Sequence, residues 1–182
     1  MSRASNGSVQ QADPRPLTRR SAAILLTVFV SMFSAACDAL PTEARRPGIL
    51  YEQSDVIVQE AVQLMNAHRA TLGCETLEWH ARGALVGERY AQQMNNEAFF
   101  GHVDSQGRTL KTRLNTAGIS GYRVAAETIA AGQTTSRRVV EAWLKSPEHR
   151  AILEDCRYTR LGLGFYNGSG PYRVYWTAVF LN

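Results

Sequence analysis

The chain has 182 residues, with 20 Lys and Arg against 16 Asp and Glu for a formal charge of +4, 45% hydrophobic residues and 3 cysteines. No basic stripe interleaved with aromatic residues accompanies that charge, which excludes nucleic acid as an expected partner. From Cys37 onward the count is 16 basic and 15 acidic residues, so most of the basic excess belongs to the leader.

That leader comes first in the chain. Met1 to Thr18 is polar, Arg19 and Arg20 add two positive charges, and Ala22 to Phe33 is apolar or small apart from Thr27 and Ser31. The pattern is that of a signal peptide over residues 1–36. Its apolar run is shorter than the roughly 20 residues a spanning helix takes. Ser34-Ala35-Ala36-Cys37 admits two cleavages. One is signal-peptidase cutting after Ala36. The other resembles a lipobox, with Ser34 where leucine is usual, in which Cys37 is lipidated and becomes the mature N-terminus. An odd cysteine count in an exported protein leaves one to explain. If Cys37 carries lipid, Cys74 and Cys156 remain as a pair in an oxidising compartment. The expectation is therefore an exported lipoprotein of the cell envelope, held to a membrane through Cys37. Residues 37–53 contain two prolines, a glycine and Arg45-Arg46 without periodicity and read as a tether. Residues 54–182 then form one domain with a single core.

Within the domain, helices come first and strands last. Ser54-Asp55 can cap a helix whose positions Ile57, Ala61, Leu64, Met65 and His68 recur at helical spacing up to Gly73. A second helix is predicted from about His80 to Asn96, with Ala84, Leu85, Ala91 and Met94 inward. Thr109 to Ala117 is a short third, closed by Gly118. Ser136 opens a fourth carrying Val139, Val140 and Trp143, and Ser146-Pro147 starts a fifth, since proline suits the first helical position. Leu161 to Tyr166 and Tyr172 to Leu181 are aromatic and β-branched and flank Asn167-Gly168-Ser169-Gly170-Pro171, a hairpin signal. A further strand is expected near Tyr122 to Ile129. Helices around a small antiparallel sheet make the class α+β.

The order LMNAHRATLGC, LEWHARGALVGERYAQQM, FFGHVDSQGRT, AAETIAAG, VVEAWLKSPEHRAIL, LGLGF and YWTAVF resembles the bacterial branch of the CAP superfamily, which includes cysteine-rich secretory, antigen 5 and pathogenesis-related proteins. The likeness runs from Val58 to Phe180. It implies an α-β-α sandwich and a disulfide at positions like Cys74 and Cys156. It also implies that His102, Glu127 and His149 line one cleft. Two imidazoles and a carboxylate can hold a divalent metal such as Zn²⁺ with a position open to water, or form a hydrogen-bonded acid and base set. The superfamily's second glutamate falls on Ser146 here, and Asp104 or Glu148 can stand in for it.

Each residue also has a plainer reading. His102 can simply cap a turn, and His149 can sit on a short helix without a partner. Glu127 lies among Ala125, Ala126, Thr128 and Ile129, and a carboxylate buried there needs a partner. His68 and His80 read as helix-surface or capping residues, and Trp79, Trp143 and Trp176 as core. A binding module for a metal, a lipid-like ligand or a cell-wall fragment is the first expectation. A metal-dependent or His/Glu acid-base hydrolase is the second. No Gly-x-Ser-x-Gly elbow and no HExxH occurs.

Overall fold

The computed structural model describes residues 48–182, with side chains from Asp55 onward. The signal peptide, Cys37 and most of the expected tether lie outside the described residues. The elements are α1 (Gly48–Ala70), β1 (Glu78–Trp79), α2 (Ala81–Asn96), α3 (Leu110–Thr116), β2 (Ala125–Ala131), α4 (Ser136–Lys145), α5 (Pro147–Leu153), β3 (Arg160–Asn167) and β4 (Val174–Leu181). No helix among them is long and apolar enough to cross a membrane.

The strands form one sheet in the order β1-β3-β4-β2. β3 and β4 make the expected hairpin, antiparallel from Arg160 opposite Leu181 to Asn167 opposite Val174. β2 returns antiparallel along the other side of β4, with Glu127 opposite Val179. β1 is only two residues long and pairs parallel with the start of β3. All of β4 is buried, as a central strand covered on both faces must be, and its sequence is correspondingly an almost unbroken apolar run.

Because side chains alternate across a strand, β4 feeds two cores. Trp176, Ala178 and Phe180 join Ala61 and Met65 of α1, Val139, Val140 and Trp143 of α4 and Leu153 of α5. Val179 and Leu181 join Val86 of α2 and Leu114 of α3, while Tyr175 meets Tyr90, Ala91 and Met94 of α2. The result is the α-β-α sandwich, with α1, α4 and α5 on one face and α2 and α3 on the other.

Several expectations are corrected. α1 starts at Gly48, inside the segment read as tether, because nothing between Ile49 and Gln53 breaks a helix; Ser54 and Asp55 lie within it. Its buried residue near the C-terminus is Arg69, fully enclosed, rather than His68. In α2 the inward face is Gly83, Val86, Gly87, Tyr90, Ala91, Met94 and Asn95, and Leu85 is half exposed. The reason is a close approach of helix to sheet. A Cβ on Gly87 would come within 2.6 Å of the Thr177 carbonyl oxygen, and one on Gly164 within 2.0 Å of the Glu88 nitrogen. Glycine therefore occupies the contact on both sides. Trp143 and Trp176 are core, but Trp79 is 51% exposed.

Cys74, just after α1, is joined to Cys156, just after α5, with Cα atoms 5.0 Å apart. Arg69 reinforces that junction. Its guanidinium donates to the carbonyl oxygens of Leu153 (2.9 Å), Asp155 (3.0 Å) and Tyr158 (2.8 Å). A buried cation is tolerated there because carbonyl acceptors replace its hydration. The end of α1 and the turn after α5 are thus fixed to each other covalently and by hydrogen bonds.

Candidate functional site

β2 is an edge strand of the sheet, and Glu127 projects from it toward the α2 and α3 face, since its strand neighbours on that face, Ala125 and Ile129, pack into the α2 and α3 clusters. Its side chain is 3% exposed. A carboxylate so enclosed stays ionised only with partners, and it has two. One oxygen lies 2.9 Å from His102 Nδ1 and the other 2.6 Å from Nη2 of Arg113, on α3. Against a carboxylate, His102 donates through Nδ1–H, and Nε2 is the ring atom left for another partner.

His102 comes from the loop between α2 and α3, and that loop is held at several points. Tyr90 of α2 donates its hydroxyl to the Gly101 carbonyl at 2.5 Å. Arg113 Nη1 donates to the carbonyls of His102 (3.3 Å) and Arg108 (3.1 Å), and its guanidinium carbon stands 3.4 Å above the Tyr90 ring. Burial pushes the Tyr90 hydroxyl up to about 12, with Arg113 opposing. It is a fixed donor at any ordinary pH.

His149, from the first turns of α5, reaches the cleft from the other layer. Its ring centroid is 6.4 Å from that of His102, at 63° between planes. The His102 ring is about half exposed and His149 half buried. Burial lowers the His149 pKa below the usual histidine value, the neighbouring His102 lowers it further, and Glu148 works in the opposite direction. The cleft therefore favours a neutral imidazole at His149. Glu148 itself is exposed at the start of α5 and acts on His149 by its charge.

Asp104 is spent on its own turn and on Gln93 of α2, whose amide reaches it at 3.4 Å. It is buried, and its carboxylate accepts from the Gln106 amide (2.9 Å), the Arg108 amide (2.8 Å) and Arg108 Nε (2.7 Å). Burial alone would raise its pKa, but the Arg108 amide and guanidinium and the Gln106 amide outweigh that and hold it at about 2. Its contribution to the cleft is to shape the loop carrying His102. The remaining two histidines serve the scaffold. His80 caps α2 by accepting from the Gly83 amide, and His68 bonds to Glu154 at 2.9 Å.

Among the described residues no group of three or more His, Cys, Asp or Glu side chains is placed to hold a metal ion. Both oxygens of Glu127 are engaged by His102 and Arg113, so the donor atoms open to a ligand are the imidazole nitrogens. Arg113 is the site residue that sequence reasoning missed. An arginine in a short helix reads as surface, and the signal that could have found it was the demand of a buried Glu127 for a cation.

The sequence model of the cysteine-rich secretory protein family, CAP, matches residues 62–180. The chain belongs to that family. It is 32% identical over 106 residues to the uncharacterized membrane protein YlbC of Bacillus subtilis, covering 58% of this chain and 30% of that one. It is 28% identical over 123 residues to the uncharacterized protein YkwD of the same organism, covering 68% and 46%. The chain thus spans less than half the length of either relative. Among solved structures it resembles an extracellular protein containing an SCP domain from Bacillus anthracis, with TM-score 0.65 and 26% identity over 71% of this chain and 41% of that one. An outer surface protein of Borrelia burgdorferi shares the fold, with TM-score 0.62 and 22% identity over 71% and 94%.

Proposed function

We propose that this CAP-family protein is an exported, lipid-anchored module of the cell envelope that binds a ligand or a divalent metal such as Zn²⁺ through the cleft of His102, Glu127 and His149. The observation that carries the reading is the Glu127–His102 contact at 2.9 Å, with a second imidazole 6.4 Å from the first between ring centroids. A carboxylate behind a histidine fixes its tautomer and aims the other nitrogen, the arrangement that supports metal-ligating imidazoles. In this reading His102 and His149 supply the nitrogens, and Glu127 serves the metal through His102. A bound metal would supply Lewis acidity at the remaining positions, open to water or to a cell-wall or lipid-like ligand. Export and anchoring rest on the leader and on Cys37.

A second reading is favoured by the same contact. Glu127 orients His102 as an orienting acid does a general base, which suits a hydrolase that activates water. Cys74 and Cys156 are bridged and supply no nucleophile.

Calorimetric titration of metal-stripped protein with Zn²⁺ tests the first reading. His102→Ala and His149→Ala are each expected to weaken binding at least tenfold, and His68→Ala to leave it unchanged. No binding, or an equal loss from all three, would sink the metal reading. Fractionation of cells carrying Cys37→Ser tests the anchor. Release into the soluble fraction is expected, and persistent membrane association overturns it.

A further inference from the structure

Arg113 also lines a second feature. A cavity of about 280 Å³ opens between α2 and α3, and three arginines, Arg89, Arg108 and Arg113, line it. The other residues with polar groups on its wall are Tyr90, Gln93 and Thr116, and no carboxylate lines it. Val86 and Ala117 give it an apolar floor.

The charges on that wall are unequally satisfied. Arg108 is paired with Asp104, whereas Arg89 is exposed and makes no ion pair among the described residues. Arg113 is 9% exposed, and its Nη atoms are engaged by Glu127 and by the carbonyls of His102 and Arg108. It lends the wall its charge, while Arg89 and the Nη groups of Arg108, which have no acceptor among the described residues, are left to pair with a ligand.

We infer that this cavity is a binding site for a small oxyanion, a carboxylate or a phosphate, held by the guanidinium groups of Arg89, Arg108 and Arg113. Guanidinium matches both anions by paired, charge-assisted hydrogen bonds. The volume lies just below the roughly 300–1,000 Å³ of pockets for drug-sized ligands, so the occupant is compact. The site shares Arg113 with the His102 cleft but stands whether or not that cleft holds metal.

Thermal unfolding of the full chain, titrated at fixed ionic strength with chloride exchanged for phosphate in one series and for butyrate in another, tests the assignment. A ligand that binds only the native state raises its melting temperature in a saturable way. At least one anion is expected to do so, and the one that does identifies the class. Arg89→Gln should shift half-saturation upward at least tenfold; Arg89 is exposed, so the fold should tolerate the change. Arg137→Gln, an exposed arginine of α4 outside the cavity, should leave half-saturation unchanged. No saturable rise over chloride with either anion, or equal effects of the Arg89 and Arg137 substitutions, overturns the site.

Discussion

Arg113 and Glu127 meet at 2.6 Å with side chains only 9% and 3% exposed, and the same guanidinium lies over the ring of Tyr90. One helix, one edge strand and the face of a third element are thereby joined at a single cation. A buried pair is costly to break by removing one partner, because the other charge is left stranded, with losses of about 3 kcal/mol or more. Glu127→Gln is therefore expected to destabilise the domain by about that amount. Urea unfolding at neutral pH measures it. Glu127→Gln combined with Arg113→Gln should lose less than the sum of the two single changes, and full additivity would show that the pair carries no coupling.

Metal occupancy should depend on pH through His149. Its folded pKa is depressed below 6.5 by burial and by His102, so it stays neutral and competent to ligate through the weakly acidic range. Zn²⁺ release is expected only as pH falls below that value. Following bound metal with a chromophoric chelator from pH 7.5 to 4.5 checks this. Occupancy that stays constant down to pH 4.5 would contradict ligation by His149.

Asp104 makes an acid-stability prediction of definite sign. Its folded pKa of about 2 lies below the ordinary value of 3.8. The stability it contributes is fully present above the ordinary value and is lost as pH falls toward 2. Denaturant midpoints for the natural chain and for Asp104→Asn should differ most above pH 4 and converge near pH 2. A difference that persists unchanged into acid would mean that the carboxylate charge is not what holds the turn.

The glycine contact between α2 and β3 predicts a packing effect without any charge. Gly164→Ala places a Cβ 2.0 Å from the Glu88 backbone nitrogen, which only movement of the helix can relieve. A loss of about 1–3 kcal/mol is expected, as for other overpacked contacts. Gly73→Ala has open space around it but sits at φ +75°, so its smaller cost should come from backbone strain alone. Thermal unfolding of both variants separates the two causes.

How much of this was legible follows from those same residues. β3 and β4 announce themselves by aromatic and β-branched runs around a glycine-rich turn, and α4 and α5 by Ser136 and by Ser146-Pro147. The inward face of α2 was not legible, because Gly83 and Gly87 carry no hydrophobic signal, and their role comes from Gly162 and Gly164 on a strand far along the chain. β1 was missed because two residues paired to a distant strand leave no period. The exposure of Trp79 was missed because a tryptophan at the end of a sheet edge looks, in sequence, like any core tryptophan. In the cleft, His102, Glu127 and His149 were legible through resemblance to the CAP superfamily. Arg113 was not, because its part depends on where α3 lies against β2.

Removing the disulfide is expected to cost about 4 kcal/mol on the chain-entropy account, given the sequence separation of 82. Reduction under native conditions, followed by thermal unfolding, checks it. An unchanged melting temperature would mean that the Arg69 contacts alone hold the junction.

That bridge has a further consequence. His102, Glu127, Arg113 and His149 all lie between Cys74 and Cys156 along the chain, inside a closed covalent ring. A single proteolytic nick anywhere on that ring opens it without separating its pieces. The cleft-bearing segments then remain one molecule after the first cut, and only a second cut within the ring can free one of them.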